Sequence, residues 1–138
     1  MVEIGNPAGR LVTFRVVPPV DDGNATKAAT GLRAAIVAIP GPVIVCADVT
    51  GARTFSADTT QQFVALMKSD NRKVERSALL LSDSSATFLL QIERMVREAA
   101  NPARRTFRDP RSLLEWLRPI LLPPEEAALE GFLASTIG

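Results

Sequence analysis

Residues 43–49 read Val-Ile-Val-Cys-Ala-Asp-Val, an almost unbroken apolar run between Pro42 and Thr50. A strand with one face in water alternates apolar and polar residues. A run this continuous predicts a central strand buried on both faces. Such a strand needs a layer on each side, and in an alternating chain that layer is helical.

The flanking segments supply the cover. Leu11–Val17 alternates and is rich in branched residues, which predicts a strand. A shorter strand at Val2–Ile4 precedes it, with Asn6, Pro7 and Gly9 turning the chain. Asn24 or Thr26 caps the next helix, whose apolar face includes Ala28, Leu32, Ala35, Ile36 and Ile39. Pro40, Gly41 and Pro42 stop it. After the central strand, Ser56 or Asp58 caps a helix carrying Phe63, Val64, Leu66 and Met67, and Asp70 to Arg72 make the return. Val74–Leu81 is the next strand. Ser84 or Ser85 then caps a helix with Phe88, Ile92, Met95 and Ala99 inside. Arg104–Phe107 is short and polar, suited to a sheet edge. Asp109 caps a helix with Pro110 at its first position, burying Leu113, Leu114 and Leu117. Glu125 and Glu126 suit the positive end of a last helix, whose stripe is Ala128, Leu129, Phe132 and Leu133.

This order predicts an α/β fold: a four- to five-stranded mixed, mostly parallel sheet flanked by helices, with an extra C-terminal helix. A chain of 138 residues fits one domain, with a core over about 11–121 and the last helix at about 124–135. That helix either packs back on the domain or forms a homodimer contact.

Composition narrows the chemistry. The chain has no histidine, no tyrosine and one cysteine. The commonest general base and metal ligand are therefore missing, and a zinc site would need carboxylates alone. No GxxxxGK[ST] or GxGxxG is present. These gaps predict a non-enzymatic protein with no cofactor and no metal; an enzyme would have to use Asp48, Asp58 and a Lys or Arg. A net charge of +1 argues against a nucleic-acid partner. Arg94, Arg97, Arg104, Arg105, Arg108 and Arg111 are interspersed with Glu93, Glu98 and Asp109, the pattern of a solvated surface. Cys46, inside the apolar run, reads as a buried inert thiol. No apolar run approaches the ~20 residues of a membrane span, and the N-terminus lacks a signal-peptide pattern. A cytoplasmic location is expected.

The remaining chemistry collects where the central strand ends. Asp48 and Thr50 close the strand, and Ser56, Asp58 and Thr59 open the next helix. Open α/β sheets place working groups at this rim, and a helix start offers free N–H groups to an anion. Each residue also has a plain structural job. Ser56 and Asp58 are N-cap types, and Asp48 bonds loop amides or pairs with Arg53. Ser82 to Ser85 end the following strand and would lie beside the same rim.

The order of elements, together with VIVCADVTGARTFSAD, NRKVERSALLLSD and FRDPRSLLEWL, resembles the STAS domain family. The match is to its SpoIIAA-like branch, which is related to anti-sigma factor antagonists. In the antagonists the strand ends in D-[LF]-[ST], and a D-S-[ST]-G helix start carries the phosphorylated switch. Asp48, Val49 and Thr50 are similar to the first element. Counting on from Asp48 places the second on Ser56, Ala57, Asp58 and Thr59, so the switch position carries Ala57 or Asp58, with Ser56 next to it. The resemblance implies a regulatory or protein-interaction module whose partner is a protein such as an anti-sigma factor or kinase-like regulator. Asp48, Thr50, Ser56, Asp58 and Thr59 become the candidate phospho-switch or partner-binding residues. The alternative is a small-ligand or lipid-binding module, using an apolar pocket near Phe63, Met67, Phe88 and Met95.

Overall fold

A computed structural model describes residues 2–17, 21–52, 56–82 and 86–135. Five strands form one sheet in the order of the chain: β1 (Val2–Ala8), β2 (Leu11–Val16), β3 (Val43–Asp48), β4 (Val74–Leu80) and β5 (Arg104–Phe107). β1 is antiparallel to β2, and every other pair is parallel. The helices are α1 (Asp22–Ala38), α2 (Ala57–Asp70), α3 (Ala86–Ala99), α4 (Pro110–Leu117) and α5 (Pro123–Ala134). The mixed, mostly parallel sheet, the flanking helices and the added C-terminal helix all match the expectation.

The chain order of the strands determines where the helices lie. Parallel strands joined in sequence by right-handed crossovers put every crossover helix on one face. Accordingly α1, α2 and α3 cover one face, where Phe14, Ala47, Val49, Leu79 and Leu81 meet Phe63, Phe88, Ile92 and Met95. The opposite face presents Leu11, Ile44, Cys46, Ala78 and Leu80 to Leu113 and Leu117 of α4 and Leu129 and Leu133 of α5. All six residues of β3 are buried, as the continuous apolar run requires. The last helix packs back on its own sheet. Cys46 is fully buried, and that burial, followed by the nearby Asp48 charge, pushes its thiol pKa up. The thiol stays protonated and inert.

Several local expectations need correction. β1 runs through Asn6 and Pro7 to Ala8, with a register shift between Gly5 and Ala8. Pro7 is tolerated because β1 is an edge strand, and the turn falls at Gly9, whose φ is +48°. The Asn6 side-chain amide donates to the carbonyls of Gly9 and Leu11 and holds that turn. The cap of α1 is Asp21, which accepts from the Asn24 N–H at 2.8 Å, in place of Asn24 or Thr26. Ser84 and Ser85 lie outside the described residues. Arg104 is buried, not part of a solvated surface: it lies inward on β5 and donates to Asn71 Oδ1 at 3.0 Å. Asp70 is the last residue of α2 and is buried as well.

Glu125 stands in the first turn of α5, as its sequence position suggests, and it is also 1% exposed. Its carboxylate accepts from the Arg10 guanidinium at 2.9 Å and 3.2 Å, from the Arg10 N–H at 2.8 Å and from the Leu122 N–H at 2.9 Å. Gly9 makes room for it, since a Cβ there would stand 2.6 Å from Glu125 Oε2.

Candidate functional site

The rim begins where β3 stops. Asp48 is buried, and its two oxygens are divided between two neighbours. Oδ2 accepts from Arg15 Nε at 3.0 Å, while Oδ1 accepts from the Thr50 N–H at 3.0 Å and the Thr50 hydroxyl at 2.6 Å. The carboxylate thus fixes the first turn of the loop and bonds a loop amide, as expected. It forms an ion pair with Arg15 of β2; Arg53 lies outside the described residues.

α2 starts at a serine cap. The Ser56 hydroxyl oxygen accepts from the Thr59 N–H at 3.2 Å and donates to Thr59 Oγ1 at 3.1 Å. The Ser56 carbonyl accepts from the Thr60 N–H and hydroxyl at 3.0 Å and 2.9 Å. Ser56 and Asp58 are exposed, Thr50 is half-buried, and Thr59 is 2% exposed. Four of the five candidates divide cleanly, with half-buried Thr50 between them. Asp48 and Thr59 hold the rim from inside, and Ser56 and Asp58 present it to solvent. Replacing Ser56 by alanine is expected to lower stability by about 1 kcal/mol, as loss of a cap does; urea unfolding measures it.

β4 ends beside this turn. Val49 N–H donates to the Leu80 carbonyl at 3.0 Å, which places Ser82 close to the Asp48–Thr50 turn. Asp83 to Ser85 lie outside the described residues.

A shallow groove of about 500 Å³ runs from the helix start between α2 and α3. Ala57, Thr60 and Gln61 form one wall, and Leu90, Gln91 and Arg94 form the other. Gln91 Nε2 donates to Thr60 Oγ1 at 3.0 Å and joins the two walls. Leu90 is 67% exposed, an apolar side chain with no cover on the outer face of α3. Its outward position could have been read from helical spacing, because it falls between the buried pairs Phe88–Leu89 and Ile92–Met95. Among the described residues no group of three or more His, Cys, Asp or Glu side chains could hold a metal. No described helix is long and apolar enough to cross a membrane.

No known protein family profile matches the chain, and no curated protein matches it. A solved structure does. It is an uncharacterized protein of the DUF3478 family, with a SpoIIAA-like fold, from Shewanella loihica PV-4. The two superpose with a TM-score of 0.61 at 19% identity, over 84% of this chain and 93% of that one. At this identity the likeness concerns the fold alone. The chain has a SpoIIAA-like fold.

Proposed function

We propose that the chain is a non-enzymatic STAS-like regulatory module that binds a protein partner at the rim of Ser56 and Asp58 and along the α2–α3 groove. The observation that carries this reading is the exposed helix start opening onto a groove with an uncovered Leu90. Buried apolar anchors ringed by polar groups supply most of the affinity in protein interfaces. Leu90, exposed in the free chain, would be buried in this way by a partner, with Gln61, Gln91 and Arg94 around it.

Asp58 supplies a fixed negative charge in the first turn of α2. Phosphate on Ser56 would add charge at the same helix end, where N–H groups favour it. The partner that the sequence resemblance implies is an anti-sigma factor or kinase-like regulator. The protein works inside the cell in this reading.

Quantitative cross-linking in lysate of the native cells tests the surface. A partner captured by the wild type is expected to be lost from a Ser56→Ala, Asp58→Ala, Leu90→Ser variant that keeps its fold by circular dichroism. Undiminished capture by that variant would overturn the assignment. Thr59 stays intact in this design because it is buried under the cap.

A further inference from the structure

Between the sheet and α1–α3 lies a cavity of about 70 Å³. Its walls are apolar, with Phe14, Ile36, Val45, Phe63, Leu79 and Met95 facing it. Leu32 and Met67, both half-buried, also line it. One end is polar: Asp70, Ser77 and Arg104 line it, each less than a tenth exposed. Ser77 and Arg104 are register partners across β4 and β5, so these groups belong to one corner.

Asp70 Oδ2 is buried and has no hydrogen-bond partner among the described residues. A buried acceptor left unpaired costs about 1–3 kcal/mol. Arg104 does not resolve it, because the guanidinium bonds Asn71 Oδ1 and forms no ion pair with Asp70. The corner therefore offers a carboxylate oxygen in need of a donor, next to a buried cation and an apolar chamber. An ammonium ligand would meet the Arg104 charge, and a carboxylate ligand would meet Asp70. A neutral hydroxyl suits both, since it donates to Asp70 and accepts from its surroundings.

We propose that this cavity binds a small aliphatic alcohol, or the hydroxyl end of a longer one. The hydroxyl donates to Asp70 Oδ2, and the alkyl body lies against the sheet. The space is several times the ~10–15 Å³ that one water needs and about half of the ~150 Å³ that admits benzene, so four or five heavy atoms fit. The site is independent of the rim: Asp70 ends α2, and Ser56 caps its start about 20 Å away.

Methyl NMR titration of the full chain with 1-butanol and with 2-butanone decides it. Both probes have five heavy atoms, and only the alcohol has a donor. The alcohol is expected to shift the Ile36, Leu79 and Met95 methyls and to bind at least about tenfold more tightly than the ketone. Asp70→Asn is expected to reduce that preference to about threefold or less, and Ala47→Leu, which fills the chamber, to abolish binding of both. Equal affinity for the two probes in the wild type would overturn the proposal. So would cavity methyls that stay unshifted, which would mark a chamber holding only water. If Asp70→Asn fails to fold, the wild-type preference and the Ala47→Leu result still decide it.

Discussion

Replacing Glu125 by alanine is expected to lower the stability of the fold by about 3 kcal/mol, near the value for breaking a buried ion pair. The carboxylate is 1% exposed, and four donors converge on it. Without it, Arg10 keeps the exposed Glu75 at 3.0 Å and the Ile120 carbonyl at 2.7 Å, which moderates the loss. The Leu122 and Arg10 N–H groups keep no such substitute. Glu125→Gln should cost less than Glu125→Ala, since the amide oxygen still accepts at one of these positions. Urea unfolding at pH 7 measures both, and a loss below about 1 kcal/mol for alanine would assign the pair to the weak surface class.

The same carboxylate sets an acid limit. Burial alone would raise its pKa, but the hydrogen bonds from the Arg10 side chain, the Leu122 N–H and the Arg10 N–H outweigh burial and hold it at about 2. The folded value is depressed, so the stabilisation is fully present above the unfolded value of about 4.3 and is lost as pH falls towards 2. A shift of this size corresponds to roughly 2–3 kcal/mol after allowance for the partly exposed Arg10. Wild type and Glu125→Gln should therefore differ most in stability above pH 5 and converge near pH 2. Parallel stability curves across that window would contradict the depressed pKa.

The elements that sequence reasoning located share one property: their cause is local. The β3 run, the Ser56 cap and the Asp109 cap with Pro110 each rest on residues within one turn or one strand. The features it did not foresee depend on distant partners. Glu125 looks like any acidic residue in a first turn, and only the approach of Arg10, 115 residues away in sequence, makes it a buried ion. Arg104 sits among alternating charges that read as surface, and becomes internal because β5 turns it towards Asn71. The candidate rim was legible as a cluster because strand end and helix start are contiguous. Which of its members face solvent was not, since Asp48 is enclosed by β2 and Thr59 by the cap.

Replacing Arg15 by methionine is expected to lower stability by about 2–4 kcal/mol and to loosen the end of α5. Arg15 lies between the rim and the last helix. Its Nε holds Asp48, Nη1 donates to Ser135 Oγ at 2.7 Å, Nη2 donates to the Phe132 carbonyl, and the guanidinium stacks 4.1 Å from the Phe132 ring centre. Removal leaves the buried Asp48 carboxylate without this cation and leaves the last turn of α5 without its tie to the sheet. Leu129 and Leu133 still anchor the helix, so the loosening should be confined to residues 132–135. Hydrogen exchange should quicken there and at Thr50, whose N–H rests on Asp48. Asp48→Asn should be milder, because the amide oxygen can still accept from Thr50. A double-mutant cycle of the two should give a coupling of about 1–3 kcal/mol. Additive losses would mean that Arg15 acts on α5 alone. A measured coupling together with faster exchange at Thr50 would mean that the C-terminal helix and the candidate rim are held by one side chain. Any partner that pulls on the rim would then be felt at the end of α5.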